Sequence, residues 1–87
     1  MANSNPLESK IQARIIRQLT ADGYMVVKIG LCSLPGFPDL MTLKDGHVRF
    51  VEVKRSGEKP RPLQEYRHKQ LRSMGFEVDV IEGENSG

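Results

Sequence analysis

The chain has 87 residues, 38% of them hydrophobic, a net charge of +2 and a single cysteine. Folding at this length buries only about 60–65% of the surface that the unfolded chain exposes, so the sequence is expected to form one domain, residues 1–87, around a small core. No apolar run approaches the roughly 18 residues of a membrane span, the opening MANSNPLESK has no secretion signal, and Cys32 alone supports neither a disulfide framework nor a thiolate metal cage. A reducing, intracellular setting without membrane contact is therefore expected. Charge is unevenly spread: residues 53–72 hold seven Lys and Arg against two Glu, while residues 73–87 hold four acidic residues and no basic one. The basic segment reads either as a phosphate footprint or as a solvated helix face.

Asn5 suits an N-cap, Pro6 the first helical position, and Glu8 the carboxylate of a capping box, so a helix is predicted from Pro6. Leu7, Ile11, Ile15 and Leu19 recur every four residues as its buried stripe, with Ile16 beside them. Gly23 suits the residue that ends it. YMVVKIG (24–30) is rich in β-branched residues and predicts a first strand. LCSLPGF (31–37) is a loop with a Pro35-Gly36 turn. Strands are predicted over about 38–44 and 47–55, joined by Asp45-Gly46. RSGEKPRP (55–62) is a polar loop. A second helix over about 62–74 has Leu63, Tyr66, Leu71 and Met74 on its predicted inner side and ends at Gly75. FEVDVI (76–81) alternates, which predicts a last strand with Phe76, Val78 and Val80 inward. The order α-β-β-β-α-β gives an α/β fold, a mixed four-stranded sheet flanked by helices. Its ordered core is expected over about 5–82, with loose ends at 1–4 and 83–87.

The hairpin around Asp45-Gly46 carries charges where a buried strand face should be apolar. A two-residue turn sets Lys44 opposite His47, Leu43 opposite Val48 and Met41 opposite Phe50, which brings Asp39 opposite Glu52 with Cβ atoms about 4.5–5.5 Å apart. Lys54 follows on the same face, about 6.6 Å further along the strand. Two carboxylates in this position repel. A divalent cation held by both offsets that cost, and hard oxygen donors suit Mg²⁺ or Mn²⁺. Lys54 beside it is placed to position or help deprotonate a water, or to stabilise charge building on a phosphate. The other reading makes Asp39 a turn residue at a strand entry and Glu52–Lys54 a solvent-facing pair. Lys28, alternating with Val26, reads as pointing into the same cleft or as lying at its rim. His47 is read as a turn residue, His68 as a surface residue, and Gln12, one turn on from Glu8, as an exposed helix polar or a weaker candidate for the site.

Pro38-Asp39, followed after a short hairpin by Glu52-Val53-Lys54, resembles the PD-(D/E)XK nuclease signature. The flanking PGFPD (35–39) and PLQEY (62–66) narrow the resemblance to the virus-type replication-repair nuclease module, VRR-NUC. Its members carry a glycine two residues before the Pro-Asp-type motif, a Glu-x-Lys, and a glutamine near the start of the following helix. The resemblance covers nearly the whole chain, from Glu8 to about Ile81. One departure is the second helix, which begins RPLQ with no Ser or Thr at its cap.

The resemblance implies a restriction-endonuclease-like αβββαβ core and catalytic roles for Asp39, Glu52, Lys54 and Gln64. It implies Mg²⁺ or Mn²⁺ held by Asp39, Glu52 and the Val53 carbonyl. Glu8 has two compatible readings, a helix cap and a further ligand, direct or through water. No small-molecule cofactor is expected. The implied activity is metal-dependent endonucleolytic hydrolysis of DNA, with Lys28, Lys59, Arg61, Arg67 and Lys69 as candidate backbone contacts. Small stand-alone members resemble phage proteins that act as homodimers on branched DNA such as Holliday junctions, in the cytoplasm of a bacterial or phage-infected cell. Two other readings stay open: a non-catalytic DNA-binding module of the same fold, and an RNA-directed nuclease.

Overall fold

The computed structural model describes residues 6–83. The N-cap assigned to Asn5 and the loose ends expected at 1–4 and 84–87 lie outside the described residues. Helix α1 (Pro6–Ala21) lays Ile11, Ile15 and Leu19 on Leu40, Val51 and Val53 of the sheet, with Leu7 and Ile16 at the margin. The four-residue stripe is thus the buried face. The helix ends in a Schellman arrangement: Gly23, at φ +97°, donates to the Thr20 carbonyl and Tyr24 donates to that of Leu19. Lys44 Nζ donates to the Asp22 carbonyl at 2.7 Å and brings to this end a positive charge that the last turn of α1 lacks.

Strands β1 (Met25–Lys28), β2 (Leu40–Lys44), β3 (His47–Arg55) and β4 (Glu77–Gly83) form one sheet in that order. β1, β2 and β3 pair antiparallel, and β3 pairs with β4 in parallel through helix α2 (Pro62–Ser73). The hairpin turn has positive φ at both central residues, 51° at Asp45 and 79° at Gly46, the turn whose twist matches its strands. Its register is the predicted one, Met41 opposite Phe50, Leu43 opposite Val48 and Lys44 opposite His47. β3 is central and covered on both faces. Val51 and Val53 meet α1, whereas Phe50 joins Leu71 and Val78 on the α2 side. The same alternation carries Glu52 and Lys54 to the α2 side.

Three expectations are corrected. The inner residues of α2 are His68 and Leu71, whereas Leu63, Tyr66 and Met74 are exposed. On β4 only Val78 is buried; Phe76 and Val80 each keep 37% exposure, Phe76 resting edge-on against Phe50. Gly83 is not a loose end: it pairs with Arg55, and a Cβ there would lie 2.2 Å from Ile11 Cγ2. Among the described residues no helix is long and apolar enough to cross a membrane.

Candidate active site

The loop of residues 31–37 fixes the approach to Asp39. Gly36 has φ +84°, and a Cβ on it would lie 2.8 Å from Leu63 Cγ and 2.9 Å from the Leu63 carbonyl oxygen, so only glycine lets the loop press against the first turn of α2. Arg67 Nε donates to the Pro35 carbonyl at 2.9 Å and its Nη1 donates to Gln70 at 2.9 Å. The guanidinium of Arg67 is thus engaged in holding loop to helix. Phe37 packs edge-on against Phe50, and Pro38 is fully buried. Asp39 then stands one residue before β2, with its carbonyl accepting from Ile29 N–H at 2.8 Å.

From there the Asp39 carboxylate reaches β3. Its Oδ2 accepts the Val53 N–H at 2.8 Å. The N–H and carbonyl of an extended residue lie on the same edge of its strand, so the Val53 carbonyl faces this edge too. Glu52 is 1% exposed, and burial first, then the charge of Asp39, raise its carboxyl to about 8, with Lys54 pulling the other way and Glu8 adding to the rise. Lys54 is itself buried, with Nζ 3.9 Å from Glu52 Oε2. Asp39, Glu52 and Lys54 therefore meet at the end of β2 where it leaves β3, and the solvent-facing reading of Glu52–Lys54 does not hold. Glu8 and Lys28 share with Asp39, Ser9 and Gln12 a cavity of about 370 Å³ between α1 and the sheet.

Burial and the charge of Asp39 disfavour an ionised Glu52, a cost that a cation held by both carboxylates would offset. Among the described residues no group of three or more His, Cys, Asp and Glu forms a ready metal cage. A carboxylate pair beside a backbone carbonyl nonetheless fits Mg²⁺ or Mn²⁺, which take one or two carboxylates and keep several waters.

Helix α2 approaches Glu52 from the other side. Gln64 Nε2 donates to Glu52 Oε2 at 3.1 Å, while Gln64 Oε1 accepts the Arg61 N–H at 2.8 Å. A carboxylate at one end and an N–H at the other fix which way the amide points. Gln64 also makes good the missing Ser or Thr cap, since it supplies the reverse half of a capping box, and Arg61, with donors only on its side chain, has no oxygen to offer the helix. His68, read from the sequence as a surface residue, is instead 2% exposed with Nε2 3.4 Å from Glu52 Oε1. Burial first, and then the charge of Arg72, lower its pKa. The available signal was its spacing, four residues after Gln64 and so on the same helix face. Lys59, Arg61 and Lys69 are exposed on α2 and the loop before it, and His47 is at the hairpin turn as predicted.

No protein-family model matches the chain. A phage protein named "Putative nuclease p44", from Acyrthosiphon pisum secondary endosymbiont phage 1, is 32% identical over 79 residues, 90% of this chain and 85% of that protein. A solved VRR_NUC domain superposes with a TM-score of 0.79 at 32% identity, over 93% of this chain and 88% of its own. A solved VRR_NUC domain protein shares the fold at 16% identity, with a TM-score of 0.74 over 93% and 81% of the two chains. The αβββαβ sheet with its Pro-Asp and Glu-x-Lys strands is the restriction-endonuclease-like fold. Within it, the chain belongs to the virus-type replication-repair nuclease family.

Proposed function

We propose that this chain is a one-domain, Mg²⁺- or Mn²⁺-dependent DNA endonuclease, acting as a homodimer on branched DNA such as Holliday junctions in the cytoplasm of a bacterial or phage-infected cell. The observation that carries the reading is the convergence of Asp39, Glu52 and Lys54 where β2 parts from β3, with Glu52 raised to about 8 by burial and by Asp39. Asp39, Glu52 and the Val53 carbonyl would hold the cation, with Glu8 as a further ligand, direct or through water. When bound, the ion supplies Lewis acidity, drawing charge from the phosphoryl group and making a water more acidic. Gln64 keeps the Glu52 carboxylate aligned. Lys54 orients the attacking water and stabilises charge on the phosphoryl oxygens. The water oxygen bonds to phosphorus as the P–O3′ bond breaks; the attacking water releases a proton to solvent and the departing O3′ takes one from solvent, leaving a 5′-phosphate and a 3′-hydroxyl. Lys28, Lys59, Arg61 and Lys69 grip phosphates, and Arg67 acts from behind by holding the loop of residues 31–37.

The homodimer reading is supported by the sheet's edge strands among the described residues, β1 and β4, and by exposed Leu31, Leu34, Leu63 and Tyr66 near the site. A two-fold pair sets two sites at a fixed spacing, as paired nicks across a branch require. The test is incubation with linear duplex, single strand, flap, four-way junction and RNA, each with Mg²⁺, Mn²⁺ or EDTA. Junction cleavage that EDTA abolishes is expected. Binding without cleavage under every condition would leave a DNA-binding module, and cleavage of RNA alone would move the substrate.

A further inference from the structure

We propose that His68 is a positioning residue for Glu52: together with Gln64 it holds that carboxylate by both oxygens. This rests on the reading of Glu52 as a metal ligand. Gln64 and His68 lie four residues apart on the inner face of α2, and their Nε2 atoms stand 3.1 and 3.4 Å from Oε2 and Oε1 of Glu52. The two carboxylates are thus served by different elements. Asp39 takes its donor from the β3 backbone at Val53, and Glu52 takes its donors from α2.

A buried imidazole at 2% exposure, one helical turn before Leu71, carries a desolvation cost that an apolar side chain would avoid. Its contact with Oε1 offsets that cost. Gln64 Nε2 and Lys54 Nζ both approach Oε2, at 3.1 and 3.9 Å, whereas His68 approaches Oε1. A donor on Oε1 fixes the plane of the carboxylate, and with it the direction of the lone pairs left for a cation. Against an ionised Glu52 the contact requires the hydrogen on Nε2, with the imidazole as donor. Outer partners of this kind typically change metal affinity by about 10–100-fold.

The test compares two amides in the full chain. His68→Gln places its amide nitrogen near the position of Nε2. His68→Asn is one methylene shorter and does not reach Oε1. Mn²⁺ affinity is measured by calorimetry at fixed pH, and folding by thermal melts followed by circular dichroism. His68→Gln is expected to bind within about threefold of the parent and His68→Asn about 10–100-fold more weakly, both folded. Parental affinity in both variants would overturn the proposal and leave the nuclease reading standing. Equal weakening in both would also overturn it and assign His68 to helix packing. If His68→Asn does not melt cooperatively, His68→Leu takes its place, with the same loss expected; failure of both to fold would mark His68 as a folding residue and overturn the proposal. A parent chain that binds no Mn²⁺ would remove the metal centre itself, and this role with it.

Discussion

Burial and the neighbouring Asp39 keep Glu52 protonated up to about pH 8, whereas in the unfolded chain it ionises near 4.5. Between those values the folded chain binds the extra proton, so stability falls as pH rises. His68, lowered by burial, acts with the opposite sign below about 6.5, so the interval from 6.5 to 8 isolates Glu52. The metal-free melting temperature should fall across that interval, and Glu52→Gln should flatten the slope. An equal slope in the variant would remove Glu52 as its source. Saturating Mn²⁺ should reverse the trend, because the cation takes the place of the proton. Lys54 separates chemistry from binding. Lys54→Ala should slow junction cleavage by about 10²–10³-fold or more. It should lower affinity only modestly and reduce the salt slope of binding by at most about one. Binding lost in step with rate would make Lys54 an anchor for DNA.

The loop of residues 31–37 and helix α2 together place the two carboxylates, and Gly36 is where they meet. Gly36→Ala forces a side chain into positive φ, which costs about 1–2 kcal/mol, and presses its Cβ on Leu63 backbone at 2.9 Å. Chemical denaturation should show at least that loss, with weaker Mn²⁺ binding as Asp39 shifts. A variant as stable as the parent would mean that loop and helix are not locked at this point. In the α1 core, Ile11→Ala should cost about 2–5 kcal/mol by the same measurement. The sequence made α1, the hairpin and its register legible, because a four-residue apolar stripe, an Asp-Gly turn and strict alternation each leave one low-energy choice. It misled on α2. The sheet beneath that helix offers Glu52 as well as Phe50, so Gln64 and His68 turn inward while Leu63, Tyr66 and Met74 face out. Apolar periodicity cannot report a helix that packs on a carboxylate. The length of β4 was hidden for a related reason: Gly83 has no side chain to signal burial, yet it fits beneath Ile11 because it has none.

At the scale of the whole molecule, β1 and β4 are the edge strands of the sheet among the described residues, and the surface near the site keeps apolar side chains exposed. Sedimentation at micromolar concentration should show a stable dimer, and four-way junctions should be cut in preference to linear duplex. A monomer that nicks linear duplex at the junction rate would leave a generic nuclease. The proposed activity depends on a divalent ion that Asp39 and Glu52 would hold. The most direct test is calorimetric titration of Mn²⁺ into the full chain and into Asp39→Asn and Glu52→Gln. The parent should bind, both variants should lose binding and junction cleavage, and both should be at least as stable as the metal-free parent, because Glu52→Gln removes the carboxyl that burial opposes and Asp39→Asn removes the charge that adds to that opposition. Normal Mn²⁺ binding in both variants would rule the site out.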